Sequence, residues 1–276
     1  MNFCLIKSRV RGVAQPGSAS GLGPEGPRFK SLHPDHFMTK NVKRYLNSYY
    51  WLRKIFSTNF FKKYFFLSMS FKRKILFNSI YKSYHWRDYH KPNEKESVSG
   101  LGSDVSRCDD LVLDLKKFIK ENNINSILDL ACGDFVWMKD LVVSNDDIID
   151  YCGLEIVEEI VKKNQNLYGN NKIKFKNCDI ISDDYPINYD LLIIRDIFIH
   201  LTNDEIMKVI KKIKSNSYRF IAINNFSNIS SNKDLKSFGS HRELNIENKP
   251  FNLGKPSFIL NDIDRQINIY ETSKLK

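Results

Sequence analysis

The sequence predicts an α/β protein, a mostly parallel sheet with helices on both faces. Three observations carry that prediction. From about residue 108 onward, short apolar runs alternate with segments of helical periodicity, the pattern of repeated strand–helix units. The run at 189–194 ends in four consecutive aliphatic residues, as in a strand buried on both faces. Hydrophobic residues make up 42% and charged residues 27% of the 276, a composition that forms a core and argues against wholesale disorder. No stretch approaches the roughly 18–20 apolar residues of a membrane span.

Taken in order, Leu111, Leu113, Leu115, Phe118 and Ile119 predict a helix ending near Glu121. Ser126–Leu130 is a short apolar strand with Asp129 near its end. Residues 151–155 form a second strand ending in Glu155, followed by a helix through Ile156, Ile160 and Val161. Residues 173–178 form a third, ending at Asp179, and 189–194 a fourth. A helix over 204–214 follows, with Thr202 or Asn203 as its N-cap, since both side chains accept from the free amides of a first turn. Residues 219–224 are a fifth strand; 257–260 and 266–270 make a terminal antiparallel pair.

The net charge of +11 suggests a nucleic-acid binder, but its distribution argues otherwise. Residues 1–75 carry +13 and the remaining 201 carry −2, so the basic character belongs to an N-terminal segment. Within residues 1–37, Gly21, Gly23 and Gly26 spell GxGxxG. That pattern holds a dinucleotide only between a strand and a helix, and Pro16, Pro24 and Pro27 break both flanks. Residues 1–37 are expected to be disordered, or to precede a true start at Met38. Residues 38–76 form a basic, aromatic helical extension. Its stripe of Val42, Tyr45, Leu46, Tyr49, Leu52 and Phe56 either packs on the main domain or contacts an anionic membrane surface. The five cysteines are scattered, without a CxxC pair. Neither a zinc site nor a disulfide framework is expected, and a reducing cytoplasm is the expected compartment.

Ligands of such sheets bind at the carboxyl ends of the strands. There the chain places Asp129, then Ala131, Cys132 and Gly133, then Glu155 with Ile156, and Asp179 with Ile180. Small residues at 131 and 133 allow close backbone approach. No GxxxxGK[ST] occurs, and a row of acids repels phosphate. Carboxylates suit hydroxyl and amino donors instead: a ribose, an adenine amino group and an ammonium. S-adenosylmethionine has these and no phosphate.

Residues 126–138, SILDLACGDFVWM, resemble the glycine loop of class I S-adenosylmethionine-dependent methyltransferases. Trp86 with 96–103, ESVSGLGS, then 195–201, RDIFIHL, and Arg242–Asn245 with Pro250 and Phe251 resemble a bacterial family of uncharacterised methyltransferases. The match spans about 77–271, and the loop departs from the class pattern in having Ala131 for its first glycine. The resemblance implies a Rossmann-like, seven-stranded, mostly parallel sheet over 77–276. It implies that Asp129 and Gly133 position the methionine moiety, Glu155 holds the ribose, and Asp179 and Ile180 hold the adenine. Arg195 and Asp196 would lie beside the methyl group, and the 97–103 segment would either close over the cofactor as a mobile lid or serve as an ordinary connecting turn.

Methyl transfer from a sulfonium is an in-line displacement that needs alignment and exclusion of water. A base is needed only where the acceptor loses a proton. His200 is the candidate base, since its free pKa lies near neutrality; Asp196 either orients it or takes the proton itself. Arg195 either binds an anionic acceptor or neutralises Asp196. His241 and Arg242 are candidates to face the acceptor. The Asn-Pro-Pro-Tyr-like sequence that follows the fourth strand in amino-methylating DNA enzymes is replaced by Arg195-Asp196. The acceptor is therefore expected to be a small molecule, glycan or lipid-linked metabolite. A nucleotide-dependent oxidoreductase and a non-catalytic membrane-surface or RNA-binding module are the alternative readings.

Overall fold

The computed structural model describes residues 69–275, apart from Asn216 and Phe238. Residues 1–37, the glycine pattern at 21–26, the aromatic stripe at 42–56 and most of the basic extension lie outside the described residues.

Helix α1 (Met69–Ser83) runs through the expected boundary at residue 76. It buries Arg73, Leu76, Phe77, Ile80 and Tyr81, a spacing that puts one face of a helix inward. A 3-10 turn, His85–Arg87, brings in Trp86. A second, Leu101–Ser103, ends the serine segment and leads into α2 (Val105–Glu121). The remaining elements are β1 (Ser126–Leu130), α3 (Lys139–Val142), β2 (Asp150–Glu155), α4 (Glu158–Tyr168), β3 (Ile173–Asn177) and β4 (Leu191–Ile194). They continue with α5 (Asn203–Lys214), β5 (Phe220–Asn225), β6 (Phe258–Asp262) and β7 (Arg265–Glu271).

The seven strands lie in the order β3-β2-β1-β4-β5-β7-β6. β1 to β5 are parallel, and β7 runs antiparallel to both β5 and β6. This is the Rossmann-like, seven-stranded arrangement that the sequence leads one to expect, with its terminal antiparallel pair. Period-two alternation sorts the strand side chains onto two faces. Ile127, Tyr151, Leu191, Ile193 and Phe220 pack with Leu111, Leu115 and Phe118 of α2. Leu128, Leu130, Leu154, Leu192, Ile194 and Ile221 pack with Ile206, Val209, Ile210 and Ile213 of α5. All four residues of β4 are buried. β3 lies at the sheet edge and alternates buried Ile173 and Phe175 with exposed Lys174 and Lys176, charges that protect an open edge from pairing with other chains.

Two local devices set the register of the site. Thr202 caps α5 in a capping box with Glu205: its hydroxyl accepts from the Glu205 amide, and the Glu205 carboxylate accepts from the Thr202 amide. Asp190 ties β4 to β1 by accepting from the amides of Asn125 and Ser126 at 2.9 and 3.1 Å. The connection order reverses between β1, which leads outward to β2 and β3, and β4 on its other side. Loops leaving adjacent strands in opposite directions open a crevice there.

Candidate active site

The loop leaving β1 turns sharply. Ala131 and Gly133 both adopt left-handed backbone, with φ of 63° and 59°. The Cys132 amide donates to Leu154 O, the Gly133 amide to Glu155 Oε2 and the Asp134 amide to Ser99 Oγ. A Cβ added at Gly133 would lie 2.3 Å from Ser99 Oγ, closer than two such atoms can approach. Gly133→Ala is therefore expected to lower stability by about 1–3 kcal/mol, since it adds left-handed strain to that clash; urea unfolding measures it.

Asp129 and Glu155 face this loop from β1 and β2. The Tyr151 hydroxyl donates to Asp129 Oδ2 at 2.8 Å. Glu155 accepts from the Val157 amide at Oε1 (2.9 Å) and from the Gly133 amide at Oε2 (3.3 Å). Burial pushes Asp129 up to about 7, against the pull of the Tyr151 hydroxyl and Arg195. Burial likewise pushes Glu155 up to about 7, against the Val157 and Gly133 amides.

Asp179 differs from its expected role. Its carboxylate is taken up by Arg73, whose Nη2 lies 2.7 Å from Oδ2 and whose Nε reaches both oxygens; Oδ1 also accepts from the Ile181 amide. Arg73 Nη1 donates to Glu205 Oε1 at 2.9 Å. Burial alone would raise the Asp179 pKa, but the Arg73 guanidinium leads the interactions that hold it below the usual value. An adenine amino group has no free carboxylate oxygen to meet here. The partner arrives on α1, a segment assigned by the sequence to an extension.

Arg195 follows β4 and is 7% exposed. Its Nε and Nη2 donate to Asp262 at 2.9 and 3.0 Å, and Nη2 also donates to Gly102 O at 2.7 Å. Its guanidinium lies over the Trp137 ring, 4.9 Å from the centroid. Asp196 has left-handed backbone (φ 59°) and is fixed by its amide, which donates to Asn224 Oδ1. Arg265 donates to Asp196 Oδ2 and to Asp262 Oδ2. Asp262 and Arg265 belong to the β6–β7 hairpin, and nothing local in the sequence marks them.

His200 ends a 3-10 turn, Phe198–His200. Its ring lies 5.0 Å from that of Trp86, tilted by 31°. Its Nδ1 is 3.2 Å from Ser240 O. A carbonyl only accepts, so this pairing assigns the proton to Nδ1 and leaves the lone pair on Nε2. Burial lowers the pKa from its free value near neutrality to about 4. The ring is neutral at pH 7 and a weak base. Arg242 does not face the cleft: its guanidinium donates to Lys233 O, Ile199 O and Asn203 Oδ1. His241 stands beside His200, their ring centroids 6.2 Å apart.

The serine segment is a clamp, where a mobile lid or an ordinary connecting turn was expected. Ser97 and Ser99 both donate to Asp134 Oδ1, the Val98 amide donates to Oδ2, and the Tyr81 hydroxyl pairs with Ser99 Oγ. Three of these contacts hold the segment against the glycine loop and the fourth holds it against α1.

All eleven residues nominated from sequence, from Asp129 to His200, border one cleft enclosing about 830 Å³, part of it open to solvent. Arg73, Phe77, Tyr81, Trp86 and Trp137 border it too. Trp86 and the serines stood in the motifs; Arg73 carried no signal.

No family model matches the chain, and no curated protein matches it. Among solved structures, it is similar to magnesium protoporphyrin IX methyltransferase from Synechocystis PCC 6803 with bound SAM, at 15% identity and a TM-score of 0.48, over 74% of this chain and 95% of that one. It is also similar to PigF with SAH, at 14% identity and a TM-score of 0.47, over 59% and 55%. The methyltransferase domain of bacterial CtHen1 is similar at 12% identity and a TM-score of 0.38; the match covers 42% of this chain and 65% of that domain, just under two thirds of its length.

Proposed function

We propose that this chain is an S-adenosylmethionine-dependent methyltransferase acting on a small-molecule, glycan or lipid-linked acceptor. The observation that carries this reading is the placing of Asp129 and Glu155 on one rim of a single cleft, at the point where the strand order reverses. The glycine loop supports it by exclusion. The amides of residues 132, 133 and 134 are taken up by Leu154 O, Glu155 and Ser99. A pyrophosphate would find neither those donors nor relief from the carboxylates beside them. This weighs against the dinucleotide oxidoreductase.

The residues fit the sulfonium nucleoside. Glu155 accepts from the backbone amides of Val157, Gly133 and Ile156, and its remaining acceptor capacity is open to a ribose hydroxyl. Asp129, with Tyr151 on Oδ2, keeps capacity for an ammonium group. Ile156 and Ile180 border the same cleft and offer apolar walls to adenine. The bound cofactor supplies a methyl group on a positively charged sulfur. Arg195 and Asp196 line the reacting end, Trp86 and Trp137 help exclude water, and His200 is held neutral. The chain itself has to align the acceptor and to accept a proton when the acceptor carries one.

Isothermal titration with S-adenosylhomocysteine tests the reading. Glu155→Ala is expected to weaken binding by about 1.5–3 kcal/mol, ten-fold or more, since it removes charge-assisted hydrogen bonds. Binding of NAD without S-adenosylhomocysteine would favour the oxidoreductase. Binding of liposomes or RNA, with no affinity for either nucleotide, would favour the non-catalytic module.

A further inference from the structure

We propose that the acceptor presents a hydroxyl group, seated between Arg195 and Asp196, so that the product is an O-methyl ether; this rests on the methyltransferase reading. Two side-chain atoms carry it. Arg195 Nη1 and Asp196 Oδ1 are buried and have no hydrogen-bond partner, although both residues border the cleft. The rest of each side chain is satisfied. Arg195 Nε and Nη2 are bonded to Asp262 and Gly102 O, and Asp196 Oδ2 accepts from Arg265 at 2.8 Å. Arg195 Nη1 forms an ion pair with Asp196 Oδ2 at 3.4 Å, so the unmet donor lies against the carboxylate that carries the unmet acceptor. Native proteins seldom leave such groups unpaired, and where they do the cause is often chemical. Asp196 keeps 23% of its side chain exposed and borders the cleft.

The partner has to accept one hydrogen bond and donate one. A hydroxyl does both through a single atom. Its oxygen has two lone pairs: one accepts from Arg195 and the other attacks. An amine nitrogen has one lone pair, and a bond from Arg195 would consume the electrons needed for attack. A carbon nucleophile offers no acceptor, and a carboxylate would meet the charge of Asp196. In the transfer the hydroxyl oxygen forms the new O–C bond as the methyl C–S bond breaks. The electron pair of that bond stays on sulfur, the O–H bond breaks, and the proton passes to Asp196 Oδ1. Arg195 orients the hydroxyl by donating to the lone pair that does not attack. Asp196 is thus the proton acceptor, and His200, its Nδ1 proton held by Ser240 O, shapes the wall.

Ligand-observed NMR on the full chain saturated with S-adenosylhomocysteine tests the proposal without turnover. Phenol, aniline and toluene are matched probes for a cleft bordered by Phe77, Trp86 and Trp137. Phenol is expected to bind at least about five-fold more tightly than the other two, and Asp196→Asn to reduce that preference to about two-fold or less. Equal affinity for the three, no measurable binding of any, or a phenol preference unchanged in Asp196→Asn overturns the hydroxyl assignment. The comparison in the unaltered protein stands even if the variant fails to fold. Failure to bind S-adenosylhomocysteine at all is a different result, and defeats the methyltransferase reading itself.

Discussion

Replacing Arg73 by alanine is expected to destabilise the protein by about 3–5 kcal/mol, since it leaves two buried carboxylates without their common counter-charge. The side chains of Arg73 and Asp179 are 4% and 1% exposed, and that of Glu205 is 10% exposed, so water replaces little of what is lost. Arg73→Lys should recover only part of the loss. An ammonium supplies the charge but cannot span both oxygens of Asp179 while also reaching Glu205. The acid limb gives a second readout. Asp179 has its pKa held down in the fold. Its contribution is present above the unfolded value and is lost as pH falls through the folded one. The deficit of Arg73→Ala should therefore be full near pH 7 and shrink as pH falls through the folded value of Asp179. Urea unfolding as a function of pH, from 7 down into the acid limb, measures both effects. Equal stability of variant and parent at pH 7 would show that α1 is not anchored through this pair.

Affinity for S-adenosylhomocysteine is expected to rise steeply between pH 6 and pH 8. Burial holds Asp129 and Glu155 at about 7, well above the ordinary carboxyl range. Two consequences have opposite signs. For folding, a raised carboxyl pKa contributes stability that is present below the unfolded value and is lost as pH rises through about 7. For binding, the ammonium and ribose donors favour the ionised carboxylates, so the ligand binds more tightly as pH rises through the same range and releases protons. Each carboxylate contributes up to about ten-fold between pH 6 and 8. Titration calorimetry at pH 6, 7 and 8, in two buffers of different ionisation heat, reads both the affinity and the proton count. Glu155→Gln should remove about half of the pH dependence. A flat profile would mean that neither carboxylate changes its charge on binding.

Much of the site was legible because its backbone positions are set by local rules. Ser126–Leu130 is observed with the bounds expected for it. β4 begins at Leu191, two residues later than expected; the Asp190 carboxylate accepts from the Asn125 and Ser126 amides while its carbonyl accepts from the Phe220 amide of β5. α2 starts at Val105, directly after the serine segment. The pKa of His200 was not legible, for a different reason. Its ordinary pKa is a property of the residue, whereas its actual one depends on burial beside Trp86. The serine segment has the composition of a mobile loop, and partners distant in sequence hold it in place: the carboxylate of Asp134, the Tyr81 hydroxyl and the Arg195 guanidinium.

By itself the sequence determined where strands end and which side chains stand at those ends, because apolar alternation and capping act over a few residues. It thereby placed Asp129, Glu155, Asp179, Arg195 and Asp196 on one rim. Only the tertiary structure decided what each of them bonds. Arg73 meets Asp179 across 106 residues and Arg195 meets Asp262 across 67. Such pairings follow from which segments pack together, and a charge carries no local mark of its distant partner. The chemistry left to each group, free donor or neutralised ion, is set by those partners.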